Sequence, residues 1–204
     1  MLFRSYTGYL GTKEQIDSVV DIFSSLAREG ASIIVDPAMA DNGKLYSGFD
    51  SDYVDGMRYL CSKAQIILPN ITEACFLTDT EYKESYDKAY IDTLISKLSD
   101  ICTGTVILTG VSYDGKQVHV VVSENGKQSS YVHRRLPQSM HGTGDVFSSS
   151  FVGAYMRGKS LYEAVKIASD FTVKCIENTV TDPSHWYGTK FETALPELIR
   201  MLDL

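Results

Sequence analysis

Ser32-Ile33-Ile34-Val35-Asp36-Pro37 is a short apolar run stopped by Asp-Pro. A run apolar on both faces predicts a strand buried in a parallel sheet. Upstream, Ile16, Val19, Val20, Ile22, Phe23 and Leu26 recur at helical spacing within residues 13–28. That is an amphipathic helix, which Gly30 ends. Before it, Met1 to Leu10 reads as a short strand, its apolar pattern interrupted by Arg4, running into Gly8-Tyr9-Leu10-Gly11. Strand, helix, strand is the opening unit of an α/β fold.

Downstream the alternation continues. Asp36-Pro37-Ala38-Met39-Ala40-Asp41-Asn42-Gly43 leaves the strand as a loop. In open α/β sheets ligands sit just past the carboxyl ends of strands, which places Asp36 and Asp41 where metal or phosphate chemistry occurs. Plain turn chemistry accounts for the same residues. A helix over 51–63 carries Tyr53, Val54, Met57 and Leu60, and Gln65-Ile66-Ile67-Leu68 is a second buried strand stopped by Pro69. Asn70-Ile71-Thr72-Glu73 opens another helix. Asn70 and Glu73 stand either as a capping pair or as a polar pair with Glu73 reaching a divalent cation. Tyr86 to Ile101 is helical, and Thr105 to Gly110 is a third buried strand. The segments 117–122 and 128–134 flank Asn125-Gly126, the signature of a hairpin. Helices follow over 161–176 and 191–202, with the only Trp in the polar loop between them.

Between hairpin and helices lies Met140-His141-Gly142-Thr143-Gly144-Asp145. Val146, Phe147, Phe151, Val152 and Tyr155 follow at helical spacing, so a helix opens here. Its first N–H groups are unpaired and its dipole is positive at this end, and two glycines let the backbone approach a ligand. The result suits a phosphate. Asp145, in the first turn, is favoured as a carboxylate by the same dipole and so accepts rather than donates. An anion hole beside a fixed carboxylate is what phosphoryl transfer needs. A glycine-rich helix start with an ordinary capping Asp is the other reading of these residues.

The chain has 204 residues, 44% hydrophobic and 22% charged, ordinary for one globular domain. A net charge of -7 argues against nucleic-acid binding, and no apolar run is long enough to span a membrane. Cys61, Cys75, Cys102 and Cys175 are widely spaced, as expected of reduced core thiols in a cytoplasmic protein. His119, His133, His141 and His185 show no metal-ligand spacing.

Tyr6-Thr7-Gly8-Tyr9-Leu10-Gly11, the segment from Asp36 to Tyr46, Pro69-Asn70-Ile71-Thr72-Glu73-Ala74 and Gly142-Thr143-Gly144-Asp145 together resemble, in order, the ribokinase-like superfamily. Within it, Gly8 to Gly11, the segment from Asp36 to Tyr46 and the Tyr187-Gly188 tail are similar to the bacterial pyridoxal (pyridoxamine) kinases. The resemblance implies an α/β fold with a mainly parallel sheet flanked by helices and an antiparallel hairpin at its edge. It implies a single kinase domain over 1–204, incomplete at the N-terminus, because family members carry a long portion before the Gly-Tyr-Leu-Gly turn.

The implied activity is ATP-dependent phosphorylation of the 5'-hydroxymethyl group of a B6 vitamer. Asp145 would be the base, and Gly142, Thr143 and Gly144 would hold the moving phosphoryl group. Asp41, Asn70 and Glu73 would organise Mg²⁺ and the ATP phosphates, Asp36 would join a K⁺ site, Thr109 and Gly110 would contact the nucleotide, and Tyr9 would lie against the pyridine ring. A homodimer is also implied. Leu68 departs from the family's usual Thr, and His141 from its usual Pro or small residue. The alternatives are a sister kinase for hydroxymethylpyrimidine or a sugar, and a truncated nucleotide-binding fragment without turnover.

Overall fold

The structure, a computed structural model, describes residues 4–26, 31–136, 140–182, 185 and 187–204. Gly30 and Trp186 lie outside the described residues. The chain divides into two compact units. Residues up to Tyr113 with His119–Ser130 form the first, and Asp114–Val118 with Tyr131–Leu204 form the second.

In the first unit β1 (Arg4–Thr7), α1 (Lys13–Leu26) and β2 (Ser32–Val35) make the predicted strand–helix–strand opening. The order continues through β3 (Ala40–Asp41), β4 (Lys44–Leu45), α2 (Ser51–Cys61), β5 (Ile66–Ile67), α3 (Ile71–Leu77), α4 (Lys88–Ile101) and β6 (Thr105–Val111). The strands β7 (Gln117–Glu124) and β8 (Lys127–Arg134) complete a six-stranded sheet in the order β1-β2-β5-β6-β7-β8. Its first four strands are parallel, and β7 joins β6 antiparallel. The apolar runs of β2, β5 and β6 are buried, as strands covered on both faces must be. Ile16 and Phe23 of α1, Met57 and Leu60 of α2, and Leu94 and Leu98 of α4 pack into one core with Val35, Ile67 and Val106.

Register sets the first unit's chemistry. Thr7 pairs with Val35, Val35 with Ile67, and Ile67 with Val106, so the carboxyl ends of β1, β2 and β5 stand on one level while β6 runs on past it. Asp36 leaves the sheet immediately beyond that level. A bridge between Asn70 and Thr109 extends the same edge.

The loop expected over residues 36–43 contains a small hairpin. Its strands β3 and β4 pair Ala40 with Leu45 and Asp41 with Lys44. The turn residues Asn42 and Gly43 have φ of 50° and 76°, the left-handed pair that a two-residue turn requires. Other ends differ slightly from expectation. The helix expected from Tyr86 starts at Lys88 because the Asp87 side chain accepts the N–H of Tyr90.

The second unit holds α5 (Thr143–Met156), α6 (Leu161–Val180), a 3-10 turn (Glu192–Ala194) and α7 (Leu195–Met201). Phe147 and Phe151 of α5 stack with ring centroids 6.5 Å apart. Phe171 and Cys175 of α6 pack with Ala194, Val146 and Leu198. Ser160 and Glu163 close a capping box at the start of α6. All four cysteines are free and buried. Among the described residues no helix is long and apolar enough to cross a membrane.

Candidate active site

In the second unit, Gly142 caps α5 with φ 80° and ψ 4°, a left-handed conformation that a side chain would strain. Having no side chain, it bonds none of the first-turn N–H groups, so these stay available to an anion. A Cβ built at Gly142 or at Gly144 would meet nothing within 4 Å, so both backbones face open space. Asp145 stands exposed in the first turn.

This opening is held in place from several sides. Thr143 Oγ1 donates to Met140 O at 3.3 Å. Thr189 donates to His141 O twice, from its hydroxyl at 2.8 Å and from its backbone N–H at 3.1 Å. Thr189 sits 48 positions from His141, and no spacing pattern in the chain marks it.

In the first unit, the start of α3 gathers Asn70, Glu73 and the β3–β4 hairpin. Asn70 Oδ1 accepts the N–H of Glu73 at 2.9 Å, and Glu73 Oε2 accepts that of Asn70 at 2.8 Å. The capping pair is therefore formed. It also reaches further than a cap. Glu73 Oε1 accepts the N–H of Met39 at 3.2 Å, and Asn70 Nδ2 donates to Ala40 O at 2.9 Å. Thr72 Oγ1 accepts the N–H of Gly43 at 3.1 Å. The loop carrying Asp41 is thus fastened to α3 by side chains whose sequence signature was only that of a helix start. Asp41 itself is exposed, with Oδ1 accepting the N–H of Asn42 at 2.8 Å and Oδ2 accepting Asn42 Nδ2 at 3.0 Å.

Glu73 is 3% exposed and Asp36 is 6% exposed. Burial first, and the Asp36 charge second, push the Glu73 carboxyl well above its ordinary range, while N–H groups of Asn70, Met39 and Ala40 pull it back. The folded state therefore holds the Glu73 proton to higher pH than the unfolded chain does. Its stabilising contribution is full below the ordinary carboxylate range and is lost as pH rises through the raised value. A Glu73→Gln variant, neutral throughout, is expected to gain thermal stability relative to the parent as pH is taken from 4 to 8. A difference in Tm that stays constant over that range would contradict the raised carboxyl.

Thr109 donates its N–H to Pro69 O at 2.9 Å, beside the irregularity in β6 between Leu108 and Val111. Gly110 follows with φ 75° and open space on its Cβ side. Tyr9 lies just past β1 and is 60% exposed. Asp36, Asp41, Asn70, Glu73, Thr109, Gly110 and Tyr9 thus all belong to the first unit, and Gly142, Thr143, Gly144 and Asp145 to the second.

The expected metal set of Asp36, Asp41 and Glu73 does not form a closed cage. Among the described residues no three His, Cys, Asp or Glu side chains stand together as a metal site. What remains still fits a hard cation that keeps its waters and shares phosphate oxygens. The Asp36 charge adds to the cost of ionising the buried Glu73 carboxyl, which a cation relieves. Thr7 Oγ1, on the residue whose carbonyl accepts the Asp36 N–H, is buried and has no partner.

A mainly parallel sheet flanked by helices, with a Gly-Thr-Gly-Asp helix opening, defines a ribokinase-like α/β protein. The phosphomethylpyrimidine kinase family model matches residues 5–189. A hydroxymethylpyrimidine/phosphomethylpyrimidine kinase of Aquifex aeolicus is 27% identical over 180 residues, covering 84% of this chain and 66% of that protein. A Bacteroides thetaiotaomicron protein provisionally named phosphomethylpyrimidine kinase, crystallised with pyridoxal, superposes with a TM-score of 0.89 at 32% identity. That match covers 100% of this chain and 72% of the other. The pyridoxal kinase of Lactobacillus plantarum superposes with a TM-score of 0.88 at 25% identity, over 98% of this chain and 71% of its own. The chain belongs to the phosphomethylpyrimidine kinase family. It spans just under two thirds of the length of the Aquifex relative, at 66%.

Proposed function

We propose that the protein transfers the γ-phosphoryl group of ATP to the hydroxymethyl group of a B6 vitamer. The observation that carries this reading is the α5 opening, where left-handed Gly142 leaves N–H groups uncapped before open space, with Asp145 in the first turn. Asp145 takes the proton of the acceptor hydroxyl as its oxygen forms the new bond to phosphorus. The bond from phosphorus to the bridging oxygen breaks, and ADP departs with that electron pair. The N–H groups of Gly142, Thr143 and Gly144 carry charge on the moving group through the transition state. Asn70, Thr109 and Gly110 bind the nucleotide, and Tyr9 lies against the acceptor ring. Asp36, Glu73 and Asp41 are the residues that would hold Mg²⁺, which supplies charge neutralisation of the phosphates when bound.

The Bacteroides relative crystallised with pyridoxal supports a B6 vitamer as acceptor. Similarity to the Aquifex kinase supports a second acceptor, hydroxymethylpyrimidine. The test is ATP-dependent phosphorylation of pyridoxal, pyridoxine, pyridoxamine, hydroxymethylpyrimidine and ribose, with and without Mg²⁺. Turnover confined to the three vitamers, and abolished by chelating the metal, is the expected result. Turnover only with the pyrimidine moves the assignment to the second acceptor. Absence of turnover in folded, ATP-binding protein defeats the kinase reading for this chain.

A further inference from the structure

Tyr9 is large, apolar over most of its surface and open to solvent, yet it is not loose. Its ring centroid lies 5.7 Å from that of Phe49, tilted by 32°. Phe49 in turn stacks face to face on Tyr53, with centroids 3.7 Å apart and planes within 7°. Tyr53 is 3% exposed, part of the core formed with α1 and α2. Its hydroxyl donates to the carbonyl of Leu10, the residue after Tyr9, at 2.6 Å. Burial pushes that phenol up to about 12. The Tyr46 ring, on a residue 40% exposed, has its centroid 6.4 Å from that of Phe49. Gly11 closes the turn by donating its N–H to Gln15 Oε1 at 2.6 Å.

The chain of support therefore runs outward from the core, from Tyr53 to Phe49 to Tyr9. Tyr53 holds both ends of it, Phe49 through its ring and the Tyr9–Leu10 backbone through its hydroxyl. A row of aromatic rings from two segments, backed by a buried ring, makes an aromatic ledge in which Tyr9 and Tyr46 are tilted 32° and 44° to Phe49. Such a ledge favours a planar heteroaromatic ring, which gains stacking contact, over a puckered sugar, which does not.

We infer that Phe49 and Tyr53 are positioning residues that fix Tyr9 as one wall of a site for a planar heteroaromatic alcohol. This deepens the acceptor side of the kinase reading and rests on it for the identity of the acceptor. The binding test does not depend on turnover. Pyridoxine and ribose are titrated calorimetrically into the full chain and into Phe49→Leu, Phe49→Trp and Tyr53→Phe variants, alongside ATP. Wild type binds pyridoxine and not ribose. Phe49→Leu weakens pyridoxine binding roughly three- to tenfold, the worth of one aromatic pair, and leaves ATP binding unchanged. Phe49→Trp retains wild-type affinity, and Tyr53→Phe, which keeps the ring but frees the Leu10 carbonyl, weakens pyridoxine binding in the same direction.

Pyridoxine affinity unaltered by Phe49→Leu, or lowered together with that for ATP, overturns the inference even where turnover is observed. Failure of wild type to bind pyridoxine also overturns it. Phe49-dependent binding without any turnover leaves the ledge standing and removes only the kinase reading.

Discussion

Replacing Asp145 by Asn is expected to lower phosphorylation of pyridoxine by about 10²–10⁴-fold, the usual contribution of a general base. Asn is close to Asp in size and keeps an oxygen acceptor in the first turn of α5, but it cannot take a proton. The N–H groups of Gly142, Thr143 and Gly144 are untouched, so nucleotide affinity should hold. The effect then falls on kcat and spares the KM for ATP. The measurement is steady-state turnover of both proteins, with ATP affinity and Tm as controls. A variant within threefold of the parent would mean that Asp145 is only a helix-start residue. A variant that loses ATP binding with its rate would mean that the substitution disturbs the anion hole itself.

The second large effect is on stability. Gly104 precedes β6, where the Thr105 N–H bonds to Gln65 O at 2.8 Å. A Cβ added at Gly104 would stand 2.1 Å from that same Gln65 oxygen and 2.8 Å from its carbonyl carbon. The obstacle is backbone, so no side chain can turn aside. Gln65 cannot retreat freely either, because its N–H donates to Ile33 O at 2.9 Å and its Oε1 accepts the Ile33 N–H at 2.6 Å. Ala at this position must therefore push β5 away from β6 or break a bond at the start of the ladder.

Overpacking of this kind costs about 3 kcal/mol, or a drop of roughly 6–12 °C in Tm for a chain of this size. Gly153 provides the contrast. It lies within α5, a Cβ there meets nothing within 4 Å, and Gly153→Ala should raise stability by up to about 1 kcal/mol. Thermal melts of the two variants test both. Equal Tm values would show that the close approach at Gln65 is not what Gly104 serves.

Much of the first unit was legible along the chain. The buried strands announced themselves because parallel strands have no polar face, and the Asn125-Gly126 turn marked its hairpin. The same dipeptide type at Asn42-Gly43 gives no such mark, since its flanking strands of two residues show no periodicity. For Glu73 the residues offered a cap or a cation ligand. Folding made the cap and then used the other carboxylate oxygen to hold Met39, a contact 34 positions away. Thr189 was illegible for the same reason. Its bonds to His141 O join segments that only the packing of the second unit brings together.

Sequence by itself determined the α/β class, the alternation of elements and the Gly-Thr-Gly-Asp helix opening, because these follow from periodicity, breakers and helix-end chemistry within a few residues. Tertiary structure alone decided that Glu73 and Asp36 share the interior, that Tyr53 and Phe49 stand behind Tyr9, and that Gln65 forbids a side chain at Gly104. Those are matters of strand register and of backbone meeting backbone across distant segments. Desolvation, ring stacking and hard-sphere contact take effect only when the sheet has closed.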